Sequence, residues 1–429
     1  MSPRGLLWTI WLGAIAVTVW PVVVALRGPQ PLEPLVLVAH VCGMLAGYGV
    51  LVLLALMSRA PALERGIGAD MLARWHGRGG RIVILLILVH AWTAVESWAR
   101  SRQEDLLLAL WHVLGLPGLL AAAVGTVALL AVGVVSVRFA RRRMSYEAWH
   151  TLHLLTYLGV ALAFPHELAG TDLAGYLPLQ IGWALLYTHV FALLLRHRVL
   201  TPLRQATRHR LRVAAVVPEA PGVVSIVVRG QHLEELRAEP GQFFRWRFLC
   251  PDNWRTAHPF SLSAPPTDNC LRLTIKALGE GSTRLQEIAI GTWVVAEGPY
   301  GAMTAARRTR RDVLLIAGGV GITPMRTLFE TLPLAPGQDM ILLYRARTAD
   351  DVLFGYELEQ IARRRGARLR FLLGDDSNGL SAATLLRHAP GLAERDVYLC
   401  GPPAMAAAVR GSLRDAGLPT RYLHEERFA

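Results

Sequence analysis

Apolar residues are spread very unevenly along this 429-residue chain. Six stretches, at about 6–26, 35–57, 80–98, 115–137, 149–166 and 176–196, are apolar over nearly their whole length. Each approaches the ~20 residues a helix needs to cross the hydrocarbon of a bilayer. The pattern therefore predicts a six-helix transmembrane bundle over 1–200. The first stretch is long for the core of a secretory leader and no small-residue cleavage motif closes it, so it reads as a span. From about 208 the period changes. Short β-branched runs at 213–217, 223–228 and 271–275, punctuated by Pro and Gly, predict an antiparallel β-barrel over 208–305. Over 310–429, strand patterns at 313–316, 340–344, 369–373 and 397–399 alternate with helical ones. That alternation predicts an α/β nucleotide-binding domain built on a parallel sheet.

Composition agrees with a membrane half followed by soluble domains. The chain is 53% hydrophobic, with a mean hydropathy of +0.35. Its net charge of +13 rests on arginine, because Lys276 is the sole lysine. A basic excess of this size raises nucleic acid as a partner, but the arginines flank apolar stretches, the pattern of a positive-inside membrane protein. Arg59, Arg65, Arg74, Arg78 and Arg81 lie between the second and third spans, and Arg138, Arg141, Arg142 and Arg143 follow the fourth. Arg196, Arg198, Arg204 and Arg208 follow the sixth, while the opposite loops are poorer in arginine and carry Glu33, Glu104, Asp105, Glu167 and Asp172. Both termini are thus expected in the cytoplasm, in a multi-pass protein of the cell membrane with the lipid bilayer as its partner. The four cysteines are scattered, which argues against a thiolate-held iron–sulfur centre, a disulfide framework and covalent haem attachment.

Four histidines sit in or just before the apolar spans at matched spacings. His76 and His90 are 14 residues apart, and His153 and His166 are 13 apart. Each spacing covers roughly 20 Å of helix at 1.5 Å per residue. With both spans running outward, His76 matches His153 in depth and His90 matches His166. Neutral imidazole is a good iron ligand, and burying four of them in a membrane otherwise costs energy without return. The pattern predicts two b-type haems, each held by one histidine from each helix. Fourteen residues return to within about 40° of one helix face, but thirteen leave an offset near 140°, so a kink at Pro165 is expected to re-aim His166. His40, His112, His150 and His189 read as packed or hydrogen-bonded residues.

Four motifs in the second half carry further chemistry. His258-Pro-Phe-Ser-Leu-Ser263 ends a barrel strand with a hydroxyl and a flat aromatic at positions able to bond and stack on a flavin ring. Lys276-Ala-Leu-Gly-Glu-Gly-Ser282 offers a cation, small residues including Gly281, and a hydroxyl for a pyrophosphate. Ala317-Gly-Gly-Val-Gly-Ile-Thr-Pro324 joins a strand to a helix, so Gly318, Gly319, Gly321, Thr323 and Pro324 form an anion site suited to a dinucleotide. Cys400-Gly-Pro-Pro403 ends another strand, with a small soft side chain near the nicotinamide. Arg345 and Arg347 follow the domain's second strand, where arginine forks suit a 2′-phosphate and favour NADPH, with NADH as the alternative.

In this order the motifs resemble the ferredoxin–NADP reductase family over about 208–429. The histidine-bearing spans resemble the ferric reductase transmembrane domain, so nearly the whole chain is similar to the NADPH oxidase and ferric reductase superfamily, as a prokaryotic member. The resemblance implies FAD at His258, Pro259, Phe260, Ser261, Lys276, Gly281 and Ser282. It implies NAD(P)H at Gly318, Gly319, Gly321, Thr323, Cys400, Gly401 and Pro402, with Gly298, Pro299 and Gly301 lining the cleft. Family members often end in an aromatic that covers the flavin; Phe428 is penultimate here. The implied activity takes electrons from cytoplasmic NADPH through FAD and two haems to an outer acceptor, either O2, forming superoxide, or a ferric chelate. Two other readings are an electron-donor subunit serving an extracytoplasmic protein partner and a haem-free membrane anchor for a flavin reductase.

Overall fold

The computed structural model describes residues 2–27, 33–137, 143–144, 146–251, 253–254, 256–374 and 377–426. The chain divides into two compact units, one of residues 1–67 and 71–199, the other of 200–429 with 68–70.

The first unit is helical: α1 (Pro3–Arg27), α2 (Pro34–Leu56), α3 (Pro61–Ile67), α4 (Ala69–Arg102), α5 (Leu106–Leu114), α6 (Leu119–Ser136), α7 (Tyr146–His153), α8 (Leu155–Ala169) and α9 (Leu177–Leu194). Asp105 starts the short α5 by accepting the amides of Leu107 and Leu108, each at 3.0 Å. Among the described residues five helices are long and apolar enough to cross a membrane: α1, α2, α4, α6 and α9 with its continuation. The expected span at 149–166 is instead divided between α7 and α8, and neither piece reaches that length. The division falls at Leu154, whose amide is shared between the carbonyls of His150 and Thr151, both at 3.2 Å. Pro165 lies inside α8 without ending it.

Two glycines let α6 and α8 touch. A Cβ on Gly125 would stand 2.6 Å from the Gly159 carbonyl oxygen, and one on Gly159 would stand 3.0 Å from that of Gly125. Small residues at such crossings bring backbones close where apolar burial gives no net drive, because lipid is as apolar as leucine. The core of the unit gathers Leu51, Leu54, Val83, Leu129, Val160 and Val190 around Trp183 and Tyr187. Its outside is also apolar: Trp8, Trp11, Leu85 and Leu185 are each more than 60% exposed. An outer surface of this kind is suited to lipid rather than water.

The second unit opens with α10 (Thr201–His209) and six strands: β1 (Arg212–Ala220), β2 (Val223–Arg229), β3 (Phe243–Phe248), β4 (His258–Ser261), β5 (Cys270–Lys276) and β6 (Val294–Tyr300), with the short α11 (Glu280–Arg284) between the last two. They form two three-stranded antiparallel sheets, β1-β2-β5 and β4-β3-β6. Single bridges, Arg212 to Trp293 and Leu262 to Leu273, tie the sheets at two edges in place of a continuous barrel ladder. Alternation along β3 sends Phe244, Trp246 and Phe248 into the core between them.

The remainder alternates: β7 (Asp312–Gly318), α12 (Ile322–Thr331), β8 (Met340–Ala346), α13 (Gly355–Arg365), β9 (Arg368–Leu373), α14 (Ala382–His388), β10 (Arg395–Cys400), α15 (Pro403–Asp415) and β11 (Leu423–Glu426). The sheet is parallel, in the order β11-β10-β7-β8-β9. Both faces of β7 are covered: Val313 and Leu315 pack on the α12–α13 side, Leu314 and Ile316 on the α14–α15 side.

An ion-pair bridge joins the two parts of this unit. Arg272 of β5 meets Glu357 of α13 through two 2.9 Å contacts, and Arg326 of α12 reaches the same carboxylate at 2.7 Å. Burial pushes the Glu357 carboxyl up, but the hydrogen bond and charge of Arg272 with those of Arg326 outweigh it and hold it below its ordinary value.

The α6–α8 contact and the Glu357 bridge can each be tested. Gly125→Ala should lower the thermal midpoint of the solubilised protein by an amount equivalent to about 1–3 kcal/mol of overpacking. Gly182→Ala, where a Cβ would meet nothing within 4 Å, should be neutral or slightly stabilising; equal effects would contradict the close contact. Because Glu357 titrates lower folded than unfolded, its contribution is complete above about pH 4.3 and is lost as pH falls through the folded value. The stability gap between wild type and Glu357→Gln should therefore be wide at neutral pH and close in acid. A gap independent of pH would show that the charge of Glu357 contributes nothing.

Candidate functional site

The four histidines come together as two pairs. The ring centres of His76 and His153 are 5.9 Å apart, and those of His90 and His166 are 6.2 Å apart. Two metal–nitrogen bonds of about 2 Å, with a ring radius of roughly 1 Å at each end, place imidazoles that share one metal ion about 6 Å apart between centres. Both pairs fit that separation. His153 closes α7 while His166 lies in α8, so the 13 residues between them do not form one continuous helix.

Each ring is also held from behind. Nδ1 of His90 donates to the Ala39 carbonyl at 2.8 Å, that of His76 to the Leu53 carbonyl at 3.2 Å, and that of His166 to the Ala163 carbonyl at 2.7 Å. For His153, Nδ1 lies 3.3 Å from the Ser136 hydroxyl, which also accepts from Trp149. An Nδ1–H spent on an oxygen fixes the tautomer in which Nε2 offers its lone pair to a metal. These partners are not legible in the sequence, being mostly backbone carbonyls. Gly43 belongs with them: a Cβ there would stand 2.8 Å from Nδ1 of His90. His40 and His112 are taken up by Asp172 at 2.7 Å and Glu104 at 2.9 Å. Next to His166, Glu167 accepts from Trp183 at 2.9 Å and Tyr187 at 2.7 Å, tying α8 to α9.

In the second unit, β4 carries His258, Pro259, Phe260 and Ser261. The strand is pinned by the Trp246 indole, which donates to the Phe260 carbonyl at 2.9 Å. The rings of His258 and Phe260 stack 5.9 Å apart at 18°, and Gly281 lies against the imidazole, where a Cβ would meet Cε1 at 2.8 Å. Ser261 Oγ is buried without a partner among the described residues, an unmet hydrogen bond that a ligand atom would satisfy. Gly298 and Gly301 adopt φ of 152° and 98°, and Gln205 clasps the Gly298 carbonyl at 2.6 Å beside Pro299. Ser282 makes local bonds. Its hydroxyl accepts from the amides of Leu278 and Gly279 and donates to the Gly279 carbonyl, closing its own turn.

The nucleotide motif borders a cleft of about 290 Å3, lined among others by Lys276, Gly318, Gly319, Arg345, Arg347 and Pro402. Lys276, expected at a flavin pyrophosphate, thus stands with the two arginines. The cleft lies at the carboxyl ends of β7 and β10, where the strand order reverses, the usual ligand position of a doubly wound sheet. Gly319 takes φ 52°, and a Cβ on Gly321 would stand 2.4 Å from the Cys400 carbonyl oxygen, so the turn after β7 sits directly on β10. Gly318 and Gly401 both lie against Met405. Pro324, lacking an N–H, occupies the first turn of α12, and the Thr323 hydroxyl is spent on the Val320 carbonyl at 3.0 Å.

Cys400 does not line this cleft. It is fully buried in the sheet's core, and burial pushes its thiol well above the ordinary range, so it stays protonated and unreactive. The physical reason is its place on the α12–α13 face of the sheet, in the same core cluster as Ile322, Met325 and Tyr344. Glu426, which the sequence does not single out, lies against Gly301 and is close enough to act on Cys400. Phe428 lies outside the described residues.

Residues 42–164 match the family of ferric reductase like transmembrane components, and residues 315–411 match the oxidoreductase NAD-binding domain family. The ferredoxin reductase component of 3-ketosteroid-9-alpha-monooxygenase from Mycolicibacterium smegmatis is 32% identical over 229 residues, covering 51% of this chain and 65% of that protein. The glycine betaine monooxygenase reductase subunit of Chromohalobacter salexigens is 29% identical over 240 residues, 52% of this chain and 64% of the relative. This chain thus spans just under two thirds of the length of these relatives. The flavohem-like FAD/NAD binding domain of nitric oxide dioxygenase from Vibrio cholerae superposes with a TM-score of 0.43 at 22% identity, over 52% of this chain and 99% of that one. The two family matches together identify the chain as a ferric reductase/NADPH oxidase-like fusion, a ferric reductase-like transmembrane component followed by a ferredoxin–NADP reductase-type NAD-binding domain.

Proposed function

We propose that this chain is an oxidoreductase that carries electrons across the membrane, from NADPH through FAD and two b-type haems to an acceptor at the outer face. The observation that carries the reading is the pair of facing imidazole couples, 5.9 and 6.2 Å between ring centres, with Nδ1 of His76, His90 and His166 each anchored on a carbonyl. FAD and haem, when bound, supply the conversion of a two-electron hydride into single electrons and their carriage at iron.

The chain's own residues place and shelter these groups. The Gly318–Gly319 turn and the start of α12 take the dinucleotide pyrophosphate, and Arg345 and Arg347 take the 2′-phosphate of NADPH. Ser261 meets the edge of the flavin ring, with His258 and Phe260 alongside. His76 and His153 hold the inner iron, His90 and His166 the outer one. No side chain takes or gives a proton in the electron transfers. In this reading α7 and α8, about 36 Å end to end at 1.5 Å per residue, supply the sixth crossing, and both termini are cytoplasmic. The acceptor is a small molecule, O2 or a ferric chelate. A second reading, transfer to a protein partner, is favoured by relatives that are reductase components of monooxygenases.

Loaded with FAD and haem, the protein should reduce cytochrome c in air at the expense of NADPH, and superoxide dismutase should abolish most of that rate. A rate indifferent to the dismutase would exclude superoxide and leave ferric iron or a protein as the acceptor. Replacing Arg345 and Arg347 together by Ala should raise the KM for NADPH about tenfold, equivalent to about 1.4 kcal/mol of lost binding, with little change for NADH. Equal rises for both coenzymes would contradict the 2′-phosphate assignment.

A further inference from the structure

The cytoplasmic end of the last apolar helix contains an arginine with no counter-ion among the described residues. From Leu195 to Leu200 the α-helix of α9 widens into a π-helix. An extra residue per turn rotates the downstream side chains off the α-helical track, and such segments recur at functional sites. Within it, Arg198 donates through Nη1 to the Tyr157 hydroxyl at 3.0 Å. Among the described residues Arg198 has no carboxylate partner. Both side chains are half-buried.

Their position is specific. Tyr157 lies in the first turn of α8, just past the division at Leu154 that follows His153. By its bond to Tyr157 the guanidinium stands at the start of α8, next to the end of α7 that carries His153. A half-buried charge of this kind is costly unless an anion meets it, and the fork of a guanidinium matches a carboxylate through two parallel hydrogen bonds.

We propose that Arg198, oriented by Tyr157, binds a propionate carboxylate of the haem seated between His76 and His153. The proposal rests on the two-haem reading. It makes Arg198 a binding residue for the inner group alone, and it gives the π-helix a purpose: it turns Arg198 back toward the bundle.

The test is a cycle on haem retention in the full-length solubilised protein. Wild type and Arg198→Gln are each loaded with haem b or with its dimethyl ester, whose propionates carry no charge. Transfer of haem to excess apomyoglobin is followed in the Soret band as two kinetic phases. Arg198→Gln should speed one phase by roughly tenfold with haem b, the scale of a charged hydrogen bond, and leave the other phase unchanged. With the ester the substitution should have no effect, and the wild type should already lose one haem quickly. Tyr157→Phe, which removes only the orienting hydroxyl, should give a smaller change in the same phase. A flat cycle, or equal acceleration with haem and ester, would overturn the proposal. So would an Arg198→Gln protein that retains haem normally but loses affinity for phosphatidylglycerol vesicles over phosphatidylcholine ones, since the anion would then be a lipid phosphate. A wild type that takes up no haem overturns the two-haem reading as well; one that takes up two, with a flat cycle, overturns this proposal alone.

Discussion

The membrane unit depends on a single constraint: an imidazole inside an apolar bundle must spend its Nδ1–H on an oxygen. Buried polar groups left without partners cost more than most contacts return. Here the oxygens come largely from backbone. Leu53 is among the last four residues of α2, whose carbonyls have no partner within the helix, and His76 satisfies one of them. Ala39 lends a carbonyl lone pair to His90 across the gap that Gly43 keeps open. Helix α2 therefore sets the rotation of both rings on α4, and with it the direction in which each Nε2 points. Glu167, clamped by Trp183 and Tyr187, secures α8 against α9, and the Gly125–Gly159 contact secures it against α6.

The second unit solves a different problem, holding a polyanionic dinucleotide at the edge of a dry sheet. Reversal of strand order between β7 and β10 opens a crevice at their carboxyl ends. Glycines there do what side chains prevent: Gly319 adopts a left-handed φ, and Gly321 lets one turn rest on the next strand. Lys276, Arg345 and Arg347 then line the opening, alongside Asp350 and Asp351.

Much of this is legible in the sequence because period and spacing are properties of the sequence. The change from long apolar stretches to short β-branched runs to strand–helix alternation locates the parts, and the matched depths of His76 with His153 and His90 with His166 anticipate the two couples. What escapes is orientation. Leu154 interrupts a helix although neither Gly nor Pro marks the spot, whereas Pro165, which does carry such a mark, lies within α8. A motif names residue types without saying where a side chain turns. The pattern around Ser282 is silent on the hydrogen bonds by which that hydroxyl closes its own loop. The motif at 400–403 points Cys400 at a nicotinamide, yet packing on the α12–α13 face of the sheet buries the thiol. Backbone partners such as Ala39 and Leu53 leave no signature at all, since any residue has a carbonyl.

The most direct test of the account is haem quantitation, with reduced-minus-oxidised spectra, on three purified proteins: wild type, His76→Ala/His153→Ala and His90→Ala/His166→Ala. The account predicts two b-type haems per wild-type chain and one remaining in each double variant, with distinct spectra. A wild type without haem, or double variants that keep both, would contradict it.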